Sequence, residues 1–380
     1  GGRVAQLNQY FPKLCPPTCG LEINFRRIKD NPRIKVFTLA KIEKVDGTPG
    51  NYDVTVKLAP RYVNENCTCC GDCAEASQTE IDSEFDFGMQ KVNGAYLPFE
   101  MAFPARFVIS PEIIGSDDAQ RCKDACKYDA VDFEMEAKTL NFNVGSIVWA
   151  TGWEPYDATK IDNLGFGQYP NIITNMMMER LASPNGPTKG KIVRPSDDKA
   201  PESIAFVQCA GSRDENHLPY CSYICCMASL KQATYVRERY PDAKIYVFYI
   251  DLRTPGLRYE RFYEQIKKDE NIFLIKGKVA EVSEDPTNKN ISVVAENAVT
   301  GEKIHQTVEM VVLATGMQPT TATTKLPADL TYNDDGFIIN DFETGGMFAA
   351  GCANKPADVV SSNQNATGMA LKAIQTLVNR

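Results

Sequence analysis

The apolar positions of this chain fall into short runs rather than long stripes. Runs at 203–207, 244–249 and 311–314 are almost continuously apolar, as in strands buried on both faces. A helical pattern from 227 to 239 separates the first two. Strand, helix, strand is the grammar of a parallel sheet. Runs at 34–38 and 52–58 predict two strands joined by a turn through Asp46, Gly47, Gly50 and Asn51. Residues 291–296 and those around Thr307 predict antiparallel strands. A short buried strand over 346–351 precedes a helix predicted from about 362 to 377.

Two of the apolar strands end in one phrase. Ala150-Thr151-Gly152 follows the first and Ala314-Thr315-Gly316 the second. Small residues at such a strand end let the backbone run close to a cofactor. The 346–351 strand ends in Gly351-Cys352. The plainer explanation is three core strands with tight turns.

Composition narrows the chemistry. The chain has 380 residues, room for two or three domains, and a net charge of −8, which does not suggest nucleic acid. No apolar run reaches the length of a bilayer span, and the opening residues carry no secretory signal. The 13 cysteines are therefore expected to be metal ligands or redox thiols rather than a disulfide framework. Only His217 and His305 are available as imidazole ligands, which excludes a His-rich metal site.

The densest cysteine group is Cys209, then a short loop, then Cys221, Cys225 and Cys226. Adjacent cysteines rarely reach disulfide geometry with each other. Four thiolates suit an iron–sulfur cluster, and zinc in principle. The group sits at a strand-to-helix turn, where a dinucleotide-binding fold carries its glycine-rich phosphate loop. This predicts no direct oxidation of NADH or NADPH.

A second group reads Cys67-x2-Cys70-x2-Cys73-x3-Ser77, followed by Cys122-x3-Cys126. In two-cluster ferredoxins the fourth cysteine of each run ligates the other cluster. By that rule Cys67, Cys70, Cys73 and Cys126 complete one [4Fe-4S] site. The other would need Ser77, Cys122 and two absent cysteines. One cluster is expected in this stretch, or else a degenerate module with none. Cys15 and Cys19 form a C-x3-C loop, readable as a redox pair or as ligands of a shared cluster.

Paired Ala-Thr-Gly strands around a strand–helix–strand segment resemble two-dinucleotide-domain flavoproteins of the thioredoxin reductase type. The cysteine signature with Gly1-Gly2-Arg3 and Gly351-Cys352-Ala353 is similar to the family of heterodisulfide reductase A-type subunits. Within that family it resembles the A-type subunit of the quinone-interacting membrane-bound oxidoreductase of sulfate reducers. The resemblance covers essentially the whole chain. It implies an α/β flavoprotein of two dinucleotide-binding domains with a ferredoxin-like insert.

The boundaries it implies are 1–60, 141–195 and 311–380 for the FAD-binding domain and 61–140 for the insert. Residues 196–310 form a pyridine-nucleotide-domain-like module that carries a cluster. FAD would touch Gly1, Gly2, Arg3, Thr151, Gly152, Thr315, Gly316, Gly351, Cys352, Asn363, Gln364 and Asn365. Cys352 stands where the thioredoxin reductase type has an aspartate. In such folds Gly-Gly-Arg follows a first strand and phosphate turn, so an upstream segment of roughly 40 residues is expected.

The implied function is electron transfer between a membrane quinone pool and adenylylsulfate reductase. The implied partners are the other subunits of that membrane complex, and the implied place is the cytoplasmic face of the membrane, without a span. The alternatives are a heterodisulfide reductase subunit with another partner, a flavin-dependent disulfide or NAD(P)H reductase using Cys15 and Cys19, and a scaffold whose cluster only stabilises the fold.

Overall fold

The computed structural model describes residues 2–11 and 13–378, so Gly1 lies outside the described residues. The chain is mixed α/β. Its centre is a five-stranded sheet in the order Ile172–Thr174, Met310–Thr315, Ser203–Ala210, Lys244–Tyr249, Ile272–Lys276. Every pairing in it is parallel. Parallel sheets need cover on both faces, and the sequence provides it. All six residues of Met310–Thr315 are buried.

The two faces separate cleanly by strand alternation. Ile204 and Phe206 pack with Met227, Leu230 and Val236 of the helix Cys225–Arg239, while Ala205 and Val207 pack with Ile291 and Val293. The helices, in chain order, are α1 (Thr18–Asp30), α2 (Asp72–Ala76), α3 (Asp117–Asp124), α4 (Asn175–Ala182), α5 (Cys225–Arg239), α6 (Leu257–Ile266) and α7 (Val359–Val378). The opposite face is closed by the antiparallel strands Val279–Glu284, Ile291–Glu296 and Lys303–Val308. These include the strands expected at 291–296 and around Thr307.

A second parallel pair, Ile147–Trp149 with Met347–Ala349, carries α7 on one side. Beside it lies an antiparallel sheet of Ala40–Thr48, Asn51–Leu58 and Lys138–Val144. The strand expected at 34–38 is not there. The turn sets the register: Thr48 pairs with Asn51, and the ladder, with Glu43 bulged out of it, ends with Ala40 opposite Leu58. Residues 34–38 lie beyond the partner's end, and Ile34, Val36 and Phe37 are exposed.

The insert has its own core around Val63, Ile109, Ile113, Cys122 and Val131. No helix among the described residues is long and apolar enough to cross a membrane.

Candidate electron-transfer site

The strand Ser203–Ala210 is irregular at its carboxyl end. Val207 pairs with Leu313 and Ala210 with Thr315, so Gln208 and Cys209 fall outside the ladder in a bulge. Cys209 takes φ +57°, the left-handed region that a side chain rarely adopts. The loop that follows is pinned to itself. Leu218 N–H donates to Gly211 O at 3.1 Å, Arg213 N–H to Tyr220 O at 3.0 Å, and the Ser212 and Ser222 hydroxyls meet at 2.6 Å. Cys225 and Cys226 are the first two residues of α5, so the helix begins two residues earlier than the sequence pattern predicts.

This geometry gathers Cys209, Cys221, Cys225 and Cys226 into one electrostatic neighbourhood. Burial, then Cys226 and Cys221 nearby, pushes the Cys209 thiol up to about 11, against the pull of Arg213. Burial and the same neighbours push Cys225 well up as well. The crowded thiols of Cys209, Cys225 and Cys226 resist ionisation unless a cation offsets the charge, and thiolate is the form that binds metal. Among the described residues no three His, Cys, Asp or Glu side chains converge as a single ion requires. One zinc ion needs its sulfurs at about 2.3 Å from a common point. A four-iron cluster presents a separate iron to each thiolate, so its ligands stand apart. Four thiolates gathered at one bend fit such a cluster.

A large cavity of about 2020 Å³ is separated from this loop by Tyr156, which lines the cavity and packs on Gly211. Gly2, Arg3, Thr151, Gly152, Gly351, Cys352 and Asn363 line it. Gly2 and Gly152 have positive φ, and a Cβ at either would enter open space, which leaves bare backbone facing the cavity. Gly351 N–H donates to Asn365 Oδ1 at 2.7 Å. The start of α7 faces the cavity through Asp358 and Val359, so it is these residues that open the helix. Asn363 and Asn365 belong to its second turn, and Gln364 is exposed and off the cavity wall. Burial, first of all, pushes the Cys352 thiol up; its Sγ contacts Ala357 O at 3.4 Å. A backbone cradle at a helix N-terminus fits the pyrophosphate of FAD.

Thr315 and Gly316 do not share that cavity. Thr315 is 3% exposed and donates to Asn175 Oδ1 at 2.9 Å, and its carbonyl receives the Cys225 thiol at 3.7 Å. A Cβ on Gly316 would stand 2.5 Å from Ser212 Oγ and 2.7 Å from Leu218 Cδ1. The second Ala-Thr-Gly phrase abuts the cysteine loop, not a cofactor cleft.

Between the large cavity and the loop lies a smaller apolar one of about 100 Å³. Arg3 and Trp153 line it from one side, and Tyr223, Ile224 and Met227 from the other. Lys231 of α5 and Glu179 of α4 also face it, paired at 2.9 Å with almost no solvent exposure. Asn8 N–H, Gln232 and the Tyr235 hydroxyl all donate to the Glu179 carboxylate. The sequence pattern does not single out this pair. Its one signal is the polar Lys231-Gln232 doublet inside an otherwise apolar helix face. Tyr156 is likewise unmarked in the sequence: it lines the large cavity, packs on Gly211, and its hydroxyl lies 3.0 Å from His217 Nδ1.

In the insert, Cys67, Cys70, Cys73 and Cys126 line one small cavity. Burial, with the neighbouring thiols, pushes Cys73 up to about 12. Ser77 lies elsewhere. Its hydroxyl donates to Asp118 Oδ2 at 2.8 Å, and Gln78 and Thr79 N–H donate to the same carboxylate. Cys122 is fully buried in the insert core near them. A polar knot thus occupies the eroded half. Cys15 and Cys19 are free thiols near the Tyr10 hydroxyl.

No family model matches the chain. Curated proteins do. The second A-type iron-sulfur subunit of CoB–CoM heterodisulfide reductase from Methanopyrus kandleri is 38% identical over 389 residues, 99% of this chain and 59% of that protein. The homologues of this chain are heterodisulfide reductase A-type subunits. Another is that of the H2/formate:CoB-CoM heterodisulfide,ferredoxin reductase of Methanococcus maripaludis, 36% identical over 97% of this chain and 58% of its own. In Methanosarcina acetivorans the A-type subunit of the ferredoxin/F420H2-dependent enzyme is 34% identical over 99% of this chain and 49% of its own. The chain therefore spans about half to three-fifths of these relatives. These homologues are oxidoreductase subunits. Among solved structures, Lactococcus lactis thioredoxin reductase aligns over 76% of this chain and 86% of its own, at 15% identity and TM-score 0.42. That likeness is too slight to add to the fold described above.

Proposed function

We propose that this chain is the flavin and iron–sulfur electron-transfer subunit of a heterodisulfide reductase-type complex. The observation that carries this reading is the shared wall. One narrow apolar cavity lined by Arg3, Trp153, Tyr223 and Met227 separates the glycine cradle from the four-cysteine loop. FAD exchanges two electrons or one, and a [4Fe-4S] cluster exchanges one, so the two together join two-electron and one-electron carriers.

The residues have separate tasks. Gly2, Gly152 and Gly351 leave backbone facing the cofactor. Asn365 holds the Gly351 turn. Arg3, anchored to Trp153 O at 3.2 Å, sets the wall between the sites. Cys209, Cys221, Cys225 and Cys226 hold one cluster, and Cys67, Cys70, Cys73 and Cys126 a second in the insert. The loop occupies the turn that would otherwise cradle a pyridine nucleotide, so electrons come from protein partners, the other subunits of the complex. Illuminating the flavin-loaded chain with a sacrificial donor tests this. Paramagnetic signals of reduced clusters should follow flavin bleaching. Bleached flavin with silent clusters would refute it.

A finer reading links the chain to a membrane quinone pool and to adenylylsulfate reductase at the inner membrane face. Its support is the insert, whose second half is closed by Ser77 and Asp118. Oxidation of the reduced chain by adenylylsulfate reductase, compared with the heterodisulfide of the relatives' names, separates the two.

A further inference from the structure

Two buried polar side chains beside the cysteine loop have no hydrogen-bond partner among the described residues. Gln208, 5% exposed, leaves its amide nitrogen and oxygen unpaired, and Ser229, 0% exposed, leaves its hydroxyl unpaired. An unmet buried donor is costly, and native proteins carry few of them.

Chain position puts both residues on the side of the thiols. The alternation that sets Ile204 and Phe206 against α5 continues to Gln208. The bulge there places Gln208 immediately before Cys209, on the face where α5 begins. Bulges commonly re-aim a side chain toward a site. Ser229 comes from the helix itself. It lies three residues after Cys226 and four after Cys225, hence on their face, with its side chain leaning toward the turn that carries them. A buried helical serine ordinarily bonds the carbonyl four residues back. Ser229 does not.

We infer that Gln208 and Ser229 donate hydrogen bonds to the sulfurs of the cluster held by Cys209, Cys221, Cys225 and Cys226, and so set its reduction potential. The inference rests on the cluster assignment above. The reduced cluster carries one more negative charge than the oxidised one. Donors aimed at its sulfurs therefore favour the reduced form and raise the potential. Neither side chain is a ligand; each acts through the sulfurs it touches, as a positioning residue.

The test is a potentiometric titration followed by paramagnetic resonance on the anaerobic full chain and on Gln208→Leu, Ser229→Ala and Gln208→Glu. Iron content and melting temperature are measured on each. Ser229→Ala and Gln208→Leu should keep their iron and shift the loop cluster to lower potential, while the insert cluster stays put. Gln208→Glu should shift it further, because it puts negative charge where a donor stood. Coupling to an exchangeable deuteron at the cluster should weaken in each variant. If Gln208→Leu fails to fold, Ser229→Ala, the smaller change, decides. Full iron with an unmoved potential and unchanged deuteron coupling overturns the inference. Full iron retained by Cys225→Ser would instead overturn the cluster assignment beneath it.

Discussion

Arg180 and Asp86 pair at 2.7 Å with both side chains almost wholly removed from water. Arg180 belongs to α4, which packs on the central sheet, and Asp86 to the insert. Ser83 and Gln90 also donate to Asp86, and the Arg180 guanidinium lies 4.6 Å from the centre of the Phe85 ring. This ion pair helps tie the insert, and the cysteines it carries, to the helix that packs on the central sheet.

Breaking that pair strands a buried charge. Arg180→Met should cost about 3–5 kcal/mol, because the Asp86 carboxylate loses its counter-charge while staying buried. Urea unfolding measures this. A loss under about 1 kcal/mol, the usual worth of an exposed pair, would mean that Asp86 escapes to water.

The two Ala-Thr-Gly phrases should respond oppositely to the same change. Gly152→Val intrudes on open cavity at a left-handed position, so it should reduce flavin content and spare iron. Gly316→Val collides with Ser212 and Leu218, so it should reduce iron and spare flavin. Flavin absorbance and iron assay on the two variants check the pair.

That contrast also marks what the sequence could reveal. The thiolate spacing of Cys209, Cys221, Cys225 and Cys226 announces its chemistry wherever the chain folds. The phrase Ala-Thr-Gly reports only a buried strand that ends abruptly. Whether a cofactor or a protein loop lies beyond the second phrase depends on Ser212 and Ser222, roughly a hundred positions before Gly316 in sequence. The strand predicted at 34–38 fails for a related reason: local composition suggests it, but register counted from the Thr48–Asn51 turn puts the strand over Ala40–Thr48. Gln208, Ser229 and the Glu179–Lys231 pair are illegible because nothing local shows which polar residues go unpaired, or paired, inside the core.

In the insert, only the four cavity-lining cysteines should matter for iron. Cys73→Ser should lower iron content by one cluster, about four iron atoms. Cys122→Ala should leave it unchanged, since Cys122 faces the Ser77–Asp118 knot. Iron loss on Cys122→Ala would mean that the ligand exchange between the two halves follows another rule.

The knot gives the insert an acid limit. Burial raises the Asp118 pKa, but hydrogen bonds from Gln78, Thr79 and Ser77 outweigh it and hold the carboxyl well below the usual range. A depressed carboxyl adds stability that is complete above its unfolded pKa of about 3.9 and fades as pH falls below it. Urea midpoints should therefore decline below about pH 4 in the native chain. Asp118→Asn should lower stability at neutral pH and flatten that decline.

The central claim is that sulfur-bound iron fills the bend after the strand Ser203–Ala210. The most direct test is the iron and acid-labile sulfide content of the anaerobically purified chain, beside Cys225→Ser. The account predicts about eight irons and eight sulfides per native chain, from two [4Fe-4S] clusters, and a loss of one cluster's share in the variant. Native chain with all four loop thiols open to alkylation and no iron lost in the variant would contradict it.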